Sequence, residues 1–156
     1  MIVDTHERQA RIIHVENSLP AVGKIFKGDY SKSNLFVMEI IRELDTLGTS
    51  YVPNTVVGVY YDDPRTKPGE ELMSFQGVFL QQAGADFPPA FTEFFLRGKY
   101  LYIKITDEIM KAIYDGYREL FNYIEENDVK LKTPIGYHVS TLSQGEITTE
   151  IFIEVL

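Results

Sequence analysis

The sequence of 156 residues contains no cysteine and no tryptophan. Without cysteine, the chain can form no disulfide, hold no zinc ion through thiolates and use no thiol nucleophile. It also lacks any run of 18 or more apolar residues, and its first ten residues have no apolar core of the signal-peptide type. These absences predict a cytoplasmic protein without a membrane partner.

Basic residues are scarce relative to acidic ones. The chain has 15 lysines and arginines against 23 aspartates and glutamates, which gives a net charge of −8. It shows no stripe of clustered lysine and arginine with interleaved aromatic residues, and an acidic surface repels phosphate backbones. The composition therefore argues against direct nucleic-acid binding, whereas it tolerates a cationic ligand.

Common catalytic and cofactor motifs are also missing. The sequence has no glycine-rich phosphate loop and no nucleophile-elbow signature around a serine. His6, His14 and His138 are too far apart in sequence to show metal-ligand spacing. The pair Asp62-Asp63 resembles a metal-binding pair, but Pro64 directly after it favours a turn. We therefore assign no catalytic residue, no metal and no cofactor.

The chain does contain an internal repeat. Arg42-Glu43-Leu44 precedes Val57-Gly58-Val59-Tyr60 in the first half. Arg118-Glu119-Leu120 precedes Ile135-Gly136-Tyr137 in the second half, at an offset of 76 to 78 residues. A repeat of this length predicts two copies of one supersecondary unit, with a seam between them where a small ligand could bind.

Hydrophobic periodicity predicts the same elements in each half. Apolar residues at helical spacing predict helices at 32–47 and 107–126. Runs rich in β-branched and aromatic residues predict strands at 12–15, 21–27, 56–61, 72–81, 100–105, 133–140 and 147–155. Each half is therefore a β-α-β-β unit, and the fold class is α+β with antiparallel sheet and the helices on one face. In a single domain of residues 1–156, the repeats cover about 10–81 and 93–156, joined by a link at about 82–92.

The last predicted strand has two different faces. Side chains alternate along a strand, so Ile147, Ile151 and Ile153 share one face, which should pack against the helices. The other face carries Glu150 and Phe152, a carboxylate beside an aromatic ring. If that face lines a cleft, Glu150 is a partly buried acceptor for a cation or a hydrogen-bond donor. The alternative is an exposed glutamate that pairs with a neighbouring lysine.

Several short motifs follow one another along nearly the whole chain. They are Val57-Gly58-Val59-Tyr60-Tyr61-Asp62-Asp63-Pro64, Glu70-Glu71-Leu72, Leu96-Arg97-Gly98-Lys99-Tyr100, Tyr117-Arg118-Glu119-Leu120 and Glu150-Ile151-Phe152-Ile153. In this order, and together with the repeat, they resemble the GyrI-like small-molecule-binding domain. That domain is also the effector-binding half of many bacterial AraC-type and MerR-type multidrug regulators, and this chain looks like a stand-alone version.

The resemblance implies two units related by a pseudo-twofold axis, whose sheets form a central cleft lined by aromatic residues. It places Glu150 in that cleft as the electrostatic anchor, with Phe152, Tyr60, Tyr117 and Tyr137 as candidate walls. From the alternation of side chains alone, Tyr137 could equally be a core residue. Tyr117 lies on the apolar face of its helix, where core packing with the hydroxyl at the margin is the alternative. The implied function is non-covalent sensing or sequestration of a hydrophobic small molecule, expected to be cationic, because aromatic faces attract cations by about 0.5–2 kcal/mol each.

Two other functions stay open at this point. Some stand-alone members of the family look like hydrolases of strained electrophilic small molecules, with a glutamate and a tyrosine of the cleft for proton transfer. A carboxylate with a raised pKa could serve as the general base, but those members tend to carry a tryptophan near the cleft, and this chain has none. An acidic protein could also bind and inhibit a larger enzyme such as a topoisomerase.

Overall fold

The strands form one antiparallel sheet. The structure is a computed structural model that describes residues 7–156. Its helices are α1 (Ser33–Leu47) and α2 (Ile109–Asn127), and its strands are β1 (Arg11–Val15), β2 (Ala21–Lys27), β3 (Thr55–Tyr60), β4 (Met73–Phe79), β5 (Thr92–Phe94), β6 (Gly98–Thr106), β7 (Leu131–Ser143) and β8 (Glu146–Val155). The strand order is β1-β6-β8-β7-β3-β4-β2-β5. Among the described residues, neither helix combines the length and the apolar character that crossing a bilayer requires.

The two repeats have the same topology and meet at β3 and β7. In the first repeat β2, α1, β3 and β4 give the sheet order β3-β4-β2, and in the second β6, α2, β7 and β8 give the order β7-β8-β6. Across the seam, Gly58 lies opposite His138 and Tyr60 lies opposite Gly136. A twofold rotation exchanges these two pairs. The predicted α+β fold with two related β-α-β-β units is therefore confirmed, with the two half-sheets joined edge to edge.

Both helices pack on the same face of the sheet. The buried side of α1, at Val37, Ile40 and Leu44, forms one apolar cluster with residues of β2 and β4. Leu120 of α2 lies in a second cluster with Ile151 of β8 and with residues of β6. The isoleucine face of β8 therefore meets a helix, as predicted from the alternation of its side chains. Glu150 and Phe152 must then point to the opposite side of the sheet.

The face without helices, here called the open face, carries an aromatic layer. In the second repeat this layer includes the buried side chains of Tyr100, Tyr102 and Phe152. In the first repeat it includes Phe75 with Phe94, which comes from β5. A sheet with apolar side chains on both faces has to be shielded from water on both faces. On the open face, the connecting segments supply part of that cover.

The segment before β1 is attached to the start of α2. Arg8 donates hydrogen bonds to Asp107 at 2.6 Å and to the buried Asp115 at 3.2 Å. Glu7 accepts a hydrogen bond from the backbone N–H of Thr106. These contacts hold β1 at the edge of the sheet. His6, one of the three histidines considered above, belongs to residues 1–6 and lies outside the described residues.

Candidate functional site

The open face contains a cavity of about 380 Å³. Small-molecule sites are commonly about 300–1,000 Å³ in volume and mostly apolar. The cavity is lined by Arg11, Ile13, Val15, Ser18, Phe79, Leu96, Tyr102, Val139, Glu150 and Phe152. Most of these side chains are aliphatic or aromatic, and among these described lining residues Arg11 and Glu150 are the two that carry a charge. The cavity therefore combines apolar walls with one cation and one anion.

The carboxylate of Glu150 is fixed in the cavity wall by a tyrosine hydroxyl. Tyr102 Oη donates to Glu150 Oε2 at 2.6 Å, and Tyr102 itself is 6% exposed. In the register of β6 and β8, Tyr102 lies opposite Phe152 and Lys104 lies opposite Glu150, so this bond runs diagonally between the strands. Lys104 is the lysine neighbour that the alternative interpretation requires, but Glu150 is half-buried and not exposed. An O–H···O⁻ bond of this length is strong and orients the carboxylate.

Arg11 approaches the same tyrosine from the edge strand. It lies opposite Tyr102 in the register of β1 and β6, and its guanidinium carbon is 5.0 Å from the centroid of the Tyr102 ring. This distance is within the range of a cation–π interaction. The ring centroid of Phe152 is also 5.0 Å from that of Tyr102. One tyrosine thus contacts the cation, the anion and an aromatic wall of the cavity.

The two repeats contribute unequally to the open face. Phe75 of β4 and Phe152 of β8 occupy equivalent register positions, opposite β3 and β7 respectively. Two residues earlier on each strand, Met73 corresponds to Glu150, so the first repeat has a thioether where the second has a carboxylate. Phe94 packs edge-on against Phe75, with ring centroids 4.9 Å apart, and covers the first repeat. The cavity with its charged groups therefore lies mainly over the second repeat.

Three of the five predicted ligand-binding residues lie on the open face. Glu150 and Phe152 line the cavity. Tyr137 lies beside it in the aromatic layer, with its ring centroid 6.2 Å from that of Tyr100. Tyr137 packs against core residues of this layer and is not among the residues that line the cavity, so its part in ligand binding stays a prediction.

The other two predicted residues, Tyr60 and Tyr117, lie on the helix face, so the sheet separates them from Glu150. Tyr60 alternates with Val59, which belongs to the cluster on the open face. Tyr117 is carried by α2, and its hydroxyl lies 2.7 Å from His138 Nε2. The ring centroids of Tyr60 and His138 are 4.6 Å apart. The structure thus gathers these tyrosines with His138 at the seam beneath the helices, and it does not bring them to the predicted cleft.

The pair of His138 and Tyr117 at the seam is neutral near pH 7. Burial lowers the pKa of His138 to about 4. Burial is also the main reason that the pKa of Tyr117 lies well above its usual value. An uncharged, buried group of this kind is suited to packing and offers no anion to a cationic ligand. Among residues 7–156, the structure shows no cluster of three or more histidine, aspartate or glutamate side chains that could hold a metal ion.

Sequence reasoning missed Tyr102 and Arg11. A signal for Tyr102 was present, because Tyr100 and Tyr102 alternate with Leu101 and Ile103 along β6, and the aliphatic set faces the helices. No comparable signal exists for Arg11. Its place over the Tyr102 ring depends on the pairing of β1 with β6, and these strands are more than 80 residues apart in sequence.

The comparisons with known proteins identify the fold. No protein-family model and no curated protein matches the sequence. The crystal structure of the EcmrR C-terminal domain is 16% identical, with a TM-score of 0.68 over 95% of this chain and 97% of that domain. The EcmrR chain in the cryo-EM structure of an EcmrR–DNA complex is 15% identical to this chain, with a TM-score of 0.69. The match covers 94% of this chain and 57% of the EcmrR chain. A hydrolase from Listeria innocua is 11% identical, with a TM-score of 0.59 over 97% of this chain and 94% of that protein.

At these low identities the likeness concerns the fold, and it extends over both repeats. The matched arrangement also agrees with the motifs that run along nearly the whole chain. The protein therefore has the GyrI-like fold, in the two-repeat form that it shares with the EcmrR C-terminal domain.

Proposed function

We propose that the cavity on the open face binds a hydrophobic, positively charged small molecule without covalent chemistry. The protein would act in the cytoplasm as a sensor or sequestering protein for that molecule. The observation that carries the proposal is the half-buried carboxylate of Glu150, held by Tyr102 in a wall that is otherwise mostly apolar. A charge in such surroundings is less screened than in water and attracts a cation more strongly. The net charge of −8 favours the approach of cations.

The walls supply the rest of the affinity. A volume of about 380 Å³ lies within the range of small-molecule sites, and most of its lining is apolar. Phe152 and Tyr102 offer ring faces, each worth about 0.5–2 kcal/mol to a desolvated cation. The same fold forms the C-terminal domain of a protein that was solved bound to DNA, which supports a role in sensing.

The anchor is tested by thermal shift of the wild type and of Glu150→Gln against lipophilic cations and neutral molecules of the same size. At 100 times its dissociation constant, a ligand adds about 2.7 kcal/mol of stability, which raises the melting temperature by several degrees. We expect cations to stabilise the wild type, and we expect the glutamine variant to lose most of that shift. The shape is kept by this substitution, so the response to neutral molecules should change little.

Glu154→Gln is the matched control. Glu154 lies on the same face of the same strand but is not among the residues that line the cavity, and its carboxylate lies 3.8 Å from Lys132. It should therefore keep the cation response of the wild type. Equal loss in both variants would attribute the effect to net charge and would remove Glu150 as the anchor. No response of the wild type to any cation would contradict the proposed function.

Hydrolysis is the second candidate, favoured by the hydrogen bond between Tyr102 and Glu150. In that case Glu150 takes a proton from a water molecule whose oxygen bonds to the strained electrophile, and Tyr102 protonates the group released as the strained bond breaks. The proton then returns from Glu150 to Tyr102 along their hydrogen bond. Tyr102→Phe separates the two functions, because it keeps the ring and removes the hydroxyl. We expect cation binding to be retained in this variant and no turnover by the wild type. Turnover by the wild type that both Tyr102→Phe and Glu150→Gln abolish would establish the enzyme instead.

A further inference from the structure

Arg11 places a cation of the protein itself at the ring that a cationic ligand would use. Its guanidinium carbon lies 5.0 Å from the centroid of the Tyr102 ring, and the hydroxyl of this ring is bonded to Glu150. All three residues line the cavity. The formal charges of the described lining residues therefore cancel, with one guanidinium and one carboxylate. A cation that enters the cavity meets a face of the Tyr102 ring that the guanidinium of Arg11 already contacts.

Resting on the proposed function, we propose that Arg11 is an internal competitor for the cation subsite and thereby sets the charge selectivity of the cavity. In the ligand-free protein its guanidinium takes the position at Tyr102. A cationic ligand has to displace it, whereas a neutral ligand can occupy the apolar part of the cavity beside it. Arg11 thus acts on the affinity for cations and leaves the affinity for neutral molecules nearly unchanged.

The position of Arg11 in the sheet makes it the partner that can move. It is the first residue of β1, and β1 is an edge strand that pairs with β6 alone in the strand order of the described sheet. Arg11 is half-buried, and a side chain of this length can place its charged end either at the Tyr102 ring or toward solvent. Tyr102 and Glu150 belong to interior strands with neighbours on both sides. When a cationic ligand displaces Arg11, one cation replaces another, while the carboxylate of Glu150 and the ring of Tyr102 stay in place.

Arg11→Met tests the proposal, because methionine keeps an unbranched side chain of similar reach and removes the charge. The probes are tetraphenylphosphonium and neutral triphenylphosphine oxide, measured by isothermal titration calorimetry on the full chain. We expect Arg11→Met to bind tetraphenylphosphonium roughly tenfold more tightly than the wild type, the range that one cation–π contact allows. Binding of the phosphine oxide should change less than about twofold. Glu150→Gln in the Arg11→Met background should cancel the gain.

Two further variants serve as controls, one for net charge and one for the contact with the ring. Arg97→Met removes the same charge from an exposed arginine that is not among the cavity-lining residues. It should leave both affinities as in the wild type, and an equal gain for this variant would attribute the effect to net charge and overturn the proposal. Arg11→Lys keeps the charge with a weaker ring contact, and we expect an affinity between those of the wild type and Arg11→Met. Circular dichroism confirms that each variant is folded.

The failure of this inference is distinguishable from failure of the proposed function. If the wild type binds tetraphenylphosphonium and Arg11→Met binds it equally or more weakly, Arg11 is no competitor, while the cation site stands. If neither the wild type nor any Arg11 variant binds either probe, both proposals fall together. If Arg11→Met gains equally for the cation and the neutral probe, the substitution has enlarged the apolar wall, and charge selectivity by Arg11 is refuted.

Discussion

Replacing Gly77 with alanine is expected to lower the free energy of unfolding by about 3 kcal/mol or more. Gly77 of β4 lies directly opposite Gly23 of β2, and the two backbones approach each other closely. A Cβ atom at Gly77 would lie 2.8 Å from the carbonyl carbon of Val22 and closer still to its oxygen. Because these are backbone atoms in a paired strand, no side-chain rotation can relieve the contact. The strands have to separate, and ladder hydrogen bonds are lost.

Urea denaturation of Gly77→Ala beside Gly58→Ala measures this effect. Gly58 is also an interior strand glycine, but a Cβ atom there would meet a side chain, the ring of Tyr60, at 2.7 Å from its hydroxyl and 2.9 Å from a ring carbon. A packed ring can shift further than the backbone of a paired strand, so we expect Gly58→Ala to cost less than Gly77→Ala. Equal losses for the two variants would show that the close approach of β2 and β4 is not the cause. Gly23→Ala should repeat the large effect from the other side of the pair, since its Cβ would lie 2.7 Å from the Cα of Gly77.

The repeat and the fold class could be predicted because they depend on local patterns. The spacing of apolar residues defines α1 and α2 to within two residues at either end, and alternation defines the two faces of β8. β5 was not predicted as a strand. It has three residues, Thr92–Phe94, and it exists as a strand through its pairing with Ala21–Gly23. No periodicity can show so short a segment, although its Phe94 closes the first-repeat side of the open face.

The part of the site that depends on local sequence patterns could also be predicted. Alternation within β8 was enough to place Glu150 and Phe152 together, away from the helices. The contacts of Tyr102 with Glu150 and with Arg11 depend on the registers of β6 with β8 and of β1 with β6, which no local pattern reveals. Tyr60 was assigned to the cleft from resemblance, but its alternation with Val59 puts it on the helix face. Alternation along β3 therefore separates Tyr60 from Glu150, whereas alternation along β8 and the resemblance agree on the position of Glu150.

Acidification is expected to destabilise the protein through His138. Burial lowers the pKa of His138 to about 4 in the folded protein, whereas an unfolded histidine titrates near pH 6.5. Between these values the unfolded chain binds more protons than the folded one, so stability falls as the pH falls. The full stability is present above about pH 6.5, and the loss from this group is complete below about pH 4. The difference between the two pKa values corresponds to about 3 kcal/mol of unfolding free energy.

The neighbours of His138 explain why the charged form is disfavoured. Its Nε2 lies 2.7 Å from the hydroxyl of Tyr117, and its ring packs against that of Tyr60. Burial raises the pKa of Tyr117, so its hydroxyl carries no negative charge in this pH range, and an imidazolium would lose its hydration without gaining an anionic partner there. The cluster lies at the join of β3 and β7. Protonation therefore weakens the seam on which both repeats depend.

His138→Gln isolates this contribution when its unfolding free energy is measured at several pH values from 7 to 4 beside the wild type and His14→Gln. Carboxylates also titrate in this range, but they are common to all three proteins, so the difference between the curves belongs to the histidine. We expect His138→Gln to be less stable than the wild type at pH 7, because the contact with Tyr117 is altered, and to lose about 3 kcal/mol less on acidification. His14 is exposed on β1, and its variant should follow the wild type. Parallel curves for the wild type and His138→Gln would mean that the folded protein accepts the imidazolium at the seam without penalty, and the neutral cluster would then need another explanation.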